Sequence, residues 1–221
     1  MHVESRDSVS LKPAELDELS QLLSLIGISL GDCELDQQLE QFPLFVQSTV
    51  DGDRHGFLFG SLERVGGTPC ILWGLGAIRR SRNSNAVMKG LVGELYRRAA
   101  ISFPDEDVLV AGQVAHAAAY GLLAPLTDVV PRVGYSPTGE ERAWGRRLAR
   151  RFSCDSRYDD RTFRCGPIGK SAAILDASTV KAGGKAAATL LEGVDALQGE
   201  AVVVFGWALA DALADGLSSG V

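Results

Sequence analysis

The residues best suited to chemistry form a polar loop, Arg79-Arg80-Ser81-Arg82-Asn83-Ser84-Asn85, set between the apolar run CILWGLGAI and the periodic run AVMKGLVGELYRRAA. A strand that passes through a short loop into a helix leaves backbone N–H groups unpaired at the helix start, and three arginines beside them make an anion site. The expected occupant is a phosphate-bearing ligand.

Other motifs are weaker. GPIGKS at 166–171 ends like a phosphate loop, but the full pattern needs a glycine five positions before Gly169, where Arg164 stands, and Pro167 removes one N–H. It reads as a plain loop. Arg142, Arg146, Arg147, Arg150 and Arg151 flank Trp144, Leu148 and Phe152. Such a helix either binds an acidic partner or nucleic acid or, more commonly on an acidic chain, is a solvated face whose arginines pair with nearby carboxylates. No G-x-S-x-G elbow marks a serine nucleophile. The cysteines (Cys33, Cys70, Cys154, Cys165) contain no C-x-x-C pair, and the histidines (His2, His55, His116) are scattered. That pattern suits reduced thiols better than a zinc site or a disulfide framework, and no metal is expected.

The surrounding elements must position the loop. Leu16, Leu19, Leu22, Leu23 and Ile26 recur at helical spacing and predict an amphipathic helix over 13–26, with a second, shorter helix over 34–41. From Leu44 the pattern changes to short aromatic and β-branched runs separated by Asp51-Gly52 and Gly66-Gly67, which predicts an antiparallel meander of three strands. The third strand feeds the loop and a helix over 85–100. The run DVLVAGQV then predicts a strand parallel to the previous one by a right-handed crossover. A small-residue helix over 115–126 and a short strand in TDVVPRVGY follow. In the last third, Thr138-Gly139-Glu140-Glu141 reads as a helix start, DSRYDDRTFRCGPIGKS as irregular chain, 186–191 as a short helix, GEAVVVFGWAL as a closing strand, and the C-terminus as helical.

In this order the chain resembles the GNAT superfamily of acyl-CoA-dependent N-acyltransferases. In that family the loop after the fourth strand carries an R-x-x-G-x-G/A-like signature that holds the CoA pyrophosphate. Here the closest match is Arg82-Asn83-Ser84-Asn85-Ala86, in a looser register with asparagines where glycines are usual. Asparagine enters left-handed backbone more readily than other non-glycine residues, which would preserve the loop's shape. The resemblance covers about 11–135. It implies an α/β (α+β) fold: a mixed central sheet with an antiparallel N-terminal meander, two parallel central strands and flanking helices. It also implies acetyl-CoA or another acyl-CoA bound between the parallel strands, held by Arg79, Arg80, Arg82, Asn83, Ser84, Asn85 and Ala86, with Gln113 bonding a pantetheine amide. His116 stands where the family has an asparagine. Tyr120 would protonate the leaving thiolate, Glu63 or an ordered water would deprotonate the amine, and Gly134-Tyr135 matches the family's Gly-aromatic pair.

At 221 residues, 46% hydrophobic and 23% charged, the chain can bury one sizeable core. Residues 1–136 form the expected GNAT-like core, and 137–221 supply further helices and a closing strand packed on it. A net charge of −6 disfavours general nucleic-acid binding. No apolar run reaches a membrane span and the N-terminus lacks a leader pattern, so a cytoplasmic location without membrane partners is expected. Three functions remain open: an N-acyltransferase acting on a small-molecule amine; the same fold as a binding or assembly module, possible as a homodimer through the apolar C-terminal third; and other chemistry on a small anionic metabolite.

Overall fold

The computed structural model describes residues 1–27, 32–167, 175–176 and 184–214. Residues 168–171 of GPIGKS and the chain beyond 214 lie outside them. The elements in order are β1 (His2–Asp7), α1 (Pro13–Leu25), α2 (Asp32–Gln41), β2 (Leu44–Val50), β3 (Asp53–Val65), β4 (Thr68–Ile78), α3 (Ser84–Ser102), β5 (Val108–Val114), α4 (Ala117–Gly121) and β6 (Thr127–Val130). Then come α5 (Gly139–Arg151), β7 (Tyr158–Asp159), β8 (Arg164–Cys165), β9 (Leu175–Asp176), α6 (Lys185–Leu190), β10 (Ala201–Ala208) and α7 (Ala210–Ala214).

The expected meander is present: β2, β3 and β4 pair antiparallel in sequence. Its two turns carry positive φ at Asp51 and Gly52 (54° and 92°) and at Gly66 and Gly67 (60° and 90°). A two-residue hairpin loop whose twist matches its strands requires that conformation. β4 and β5 run parallel with α3 as the crossover, so the sheet has the expected arrangement of an antiparallel half followed by a parallel central pair. β10 lies antiparallel to β5 on its other side, and β6 and β8 pair with β10. The C-terminal strand thus sits inside the same sheet as the first 136 residues.

Three local expectations are corrected. The N-terminal HVESRD, given no structure in the sequence reading, adds strand β1 antiparallel to β2. Its polar alternation suits an edge strand with one face open to water. The expected helix over 115–126 is only α4, after which the chain turns. The polar stretch after α5 forms a small hairpin, β7 with β8, rather than wholly irregular chain.

The core fills both faces of the sheet. On one face α3 lays Val87, Leu91 and Leu95 against β3, all fully buried. Gly56 and Gly60 permit that approach, since a Cβ at either would come within 2.7 Å of Val87 and 3.0 Å of Leu95. On the other face Phe42, after α2, stacks with Phe152 at 6.5 Å between ring centroids and covers β4 at Gly74. α5 is closed at its start by the expected capping box, in which Thr138 Oγ1 accepts the Glu141 N–H at 3.2 Å and the Glu141 carboxylate accepts the Thr138 N–H at 2.6 Å. Among the described residues no helix is long and apolar enough to cross a membrane.

Candidate functional site

The site begins with an irregularity in β4. Between the pairs Gly60–Trp73 and Leu58–Gly76, Phe59 alone stands opposite both Gly74 and Leu75, which is a β-bulge. Pairing of β4 with β5 ends at Trp73–Gly112, so the two parallel strands part beyond this point. The parted edge of β4 is engaged by other parts of the chain. Gln38, buried on α2, accepts the Leu75 N–H through Oε1 at 3.0 Å, and β9 pairs parallel with Gly76 and Ala77.

After β4 the chain enters the arginine loop, which Ser81 and Ser84 tie to itself. Ser84 Oγ accepts the Ser81 N–H at 2.9 Å and lies 2.8 Å from the Ser81 carbonyl, while Ser81 Oγ accepts the Asn83 N–H at 3.1 Å. Asn83 occupies the N-cap position of α3 at φ −96°, and neither it nor Asn85 takes positive φ. The loop therefore needs no left-handed asparagine, because Asn85 is already helical. The Arg82, Asn85 and Ala86 N–H groups have no partner among the described residues, nor do the exposed guanidinium groups of Arg79, Arg80 and Arg82. Unpaired donors and cations at the start of a long helix fit a phosphate group.

Because β4 and β5 are parallel, the chain leaves both at the same edge of the sheet, and ligands of open α/β sheets gather at such edges. That edge brings together the arginine loop, Gln113 and α4 with Tyr120. Gln113, 2% exposed, donates from Nε2 to Cys165 Sγ at 3.3 Å, and its Oε1 has no partner among the described residues. Cys70, Cys154 and Cys165 are buried free thiols. Half-buried Tyr120 donates its hydroxyl to the Pro131 carbonyl at 2.8 Å. Burial raises its pKa above the ordinary phenol value, with nearby Arg132 opposing, so the group stays protonated at neutral pH. Tyr135 bonds Glu141 at 3.0 Å, and its ring lies 3.6 Å from the Arg132 guanidinium carbon.

Glu63 is not at this edge. It pairs with Cys70 near the start of β4, eight positions before Ile78, roughly 25 Å along the strand. Its carboxylate is held by Arg151 through Nε and Nη2 at 2.7 and 2.9 Å, and by the Ser61 hydroxyl. Burial opposes its ionisation, but the Arg151 and Ser61 hydrogen bonds outweigh burial and lower its pKa. Arg146 likewise pairs with Asp160, so among the described residues two of the five α5 arginines are engaged with carboxylates. Among the described residues no cluster of His, Cys, Asp and Glu could hold a metal ion.

The residues thus fit the phosphate end of an acyl-CoA, while the strand edge where its arm would lie is engaged by Gln38 and β9. Sequence reasoning did not find Gln38, whose partner lies 37 positions away with no local signal linking them.

No family model and no curated protein sequence matches the chain. Among solved structures it is similar to the aminoglycoside 6'-N-acetyltransferase from Enterococcus faecium, at 17% identity and a TM-score of 0.41 over 60% of this chain and 67% of that one. An aminoglycoside 6'-N-acetyltransferase complexed with coenzyme A matches at 20% identity and a TM-score of 0.40, over 52% of this chain and 64% of that one. A ribosomal-protein-alanine N-acetyltransferase from Brucella melitensis biovar Abortus 2308 matches at 16% identity and 0.37, over 50% and 79%.

Proposed function

We propose that the chain binds acyl-CoA with its phosphates on the loop 79–86 and acts as an acyl-CoA-dependent N-acyltransferase on a small amine. The observation that carries this reading is the loop itself: Arg79, Arg80 and Arg82, and the N–H groups of Arg82, Asn85 and Ala86, have no partner among the described residues where β4, parted from β5, enters a long helix. Arg79, Arg80 and Arg82 offset the phosphate charge, and the Arg82, Asn85 and Ala86 N–H groups fix its position. The unpartnered Gln113 Oε1 accepts an amide N–H of the ligand's arm. When bound, acyl-CoA supplies an acyl group activated as a thioester for direct attack by the amine. Tyr120, held neutral by burial, gives its proton to the departing thiolate in exchange for its bond to Pro131. Glu63 is ion-paired near the far end of β4, so in this reading the amine's proton leaves to water.

A second reading is favoured by one observation. Gln38 and β9 already engage the β4 edge that a ligand's arm would use, which suits a binding or assembly module without catalysis. Calorimetric titration with acetyl-CoA and with free CoA separates the two. The acyltransferase reading expects micromolar binding of both, weakened about tenfold in Arg82→Ala, the equivalent of about 1.4 kcal/mol. Absence of heat with either ligand at roughly millimolar concentration, some 4 kcal/mol of binding free energy, would sink that reading and leave the module.

A further inference from the structure

A second concavity lies beside α3 and meets the loop only at Ala86. It is a groove of about 570 Å³ on the outer side of α3, closed by Met1, by Leu122 and Pro125 after α4, and by Leu213 of α7. That volume lies in the range of small-molecule sites rather than of flat protein interfaces. Gly93, Tyr96, Ile101, Leu122, Pro125 and Leu213 make most of its wall, so the lining is almost wholly apolar. Ile101 is 66% exposed there. At Gly93 a Cβ would meet nothing within 4 Å among the described residues, although glycine weakens a helix interior.

Two polar groups interrupt the apolar wall. Tyr96 is 4% exposed, and its hydroxyl has no hydrogen-bond partner among the described residues, a costly arrangement for a buried donor. Lys89, two turns earlier, also lines the groove and has no ion pair among the described residues, whereas the other cation, Arg97, is taken by Glu94 at 2.6 and 2.7 Å. Side chains on a helix lean toward its N-terminus, which carries the Tyr96 hydroxyl back toward the turns that hold Lys89 and Val92. A cation and a buried donor, both without a partner among the described residues and near the same end of an apolar trough, match an anionic head on an apolar tail.

We propose that the α3 groove binds an amphipathic carboxylate, with its alkyl chain along Gly93 and Ile101 against Leu122, Pro125 and Leu213, and its head between Lys89 and Tyr96. The groove meets the arginine loop only at Ala86, and the proposal holds whether or not the loop takes acyl-CoA.

Titration with dodecanoate and with dodecanol tests it. Wild-type protein should bind one dodecanoate saturably and dodecanol more weakly. Gly93→Leu fills the trough from an exposed helix position and should weaken dodecanoate about tenfold or more. Its thermal midpoint should be no lower than wild type's, which separates a filled site from a damaged fold. Lys89→Met keeps the apolar stem and should abolish the preference for carboxylate over alcohol, and Tyr96→Phe should weaken dodecanoate severalfold. No saturable binding, or undiminished binding in Gly93→Leu, would overturn the proposal. So would a protein dimer that Gly93→Leu dissociates in sedimentation, since the groove would then be a contact between copies of this chain.

Discussion

Arg151 ties α5 to β3 and to the end of α2. It reaches Glu63 with two nitrogens, donates from Nη2 to the Gln41 carbonyl at 2.6 Å, and lies 5.3 Å from the centre of the Phe42 ring. Both members of the pair are mostly covered, with side chains 23% and 30% exposed. Arg151→Met would leave a half-buried carboxylate without its cation, and should cost about 1–3 kcal/mol in urea unfolding at neutral pH, less at high salt. The sign with pH follows from the lowered pKa of Glu63. A carboxyl that titrates lower in the folded than in the unfolded state stabilises above its unfolded value, and that contribution is lost as pH falls through the folded value. Glu63→Gln should therefore be less stable than wild type at neutral pH, with the gap closing below the ordinary value of 4.5. A gap that widens in acid would refute the assignment. At this scale the sequence showed an arginine-rich helix with a solvated face, and Arg146 with Asp160 agrees. It could not show Arg151 with Glu63, because 88 residues separate them and only the folded sheet brings them together.

Among the elements, β4 and α3 differ in how they use glycine. Gly74 sits at the β4 bulge, where a Cβ would come within 2.6 Å of the fully buried Phe42 ring. Phe42 is packed by Phe152 and Arg151 and has no room to yield, so Gly74→Ala should destabilise by about 1–3 kcal/mol. Gly93 faces open space in mid-helix, so Gly93→Ala should stabilise by about 1 kcal/mol through helix propensity alone. Thermal unfolding of the two variants should move in opposite directions, and a shared direction would show that the groove and the bulge have been misjudged. Elements specified by local chemistry were legible: the Asp51-Gly52 and Gly66-Gly67 turns, the Thr138 capping box, and the α3 face carrying Val87, Leu91 and Leu95. Elements specified by a partner were not. HVESRD becomes a strand because β2 offers an edge, and the two-residue strands β7 and β8 are too short to carry a periodic signal. The bulge was equally hidden, since it is a mismatch of register between β3 and β4 rather than a property of either run.

At the scale of the molecule, the question is whether the first 136 residues stand alone. β5 is an apolar, fully buried strand, VLVAGQV, with β4 on one side and β10 pairing along Val108–Val114 on the other. β10 is equally apolar and also holds β6 and β8, so it joins the core to the α5 region rather than capping a finished domain. A fragment ending at residue 136 would expose the length of β5 as a flat hydrophobic edge, the kind of surface that recruits other chains. It would also lose the cover that Phe205 and Trp207 provide. Such a fragment should express as aggregate or unfold without a cooperative transition, whereas a chain retaining residues through 214 should melt in a single step. A soluble, monomeric, cooperatively melting fragment would show instead that the β10 pairing is dispensable and that the last third is an addition to a complete fold. The closing strand was legible from GEAVVVFGWAL, but its place beside β5 was not. Insertion next to a strand some 90 residues earlier is set by which edge remains unpaired once the rest of the sheet has formed.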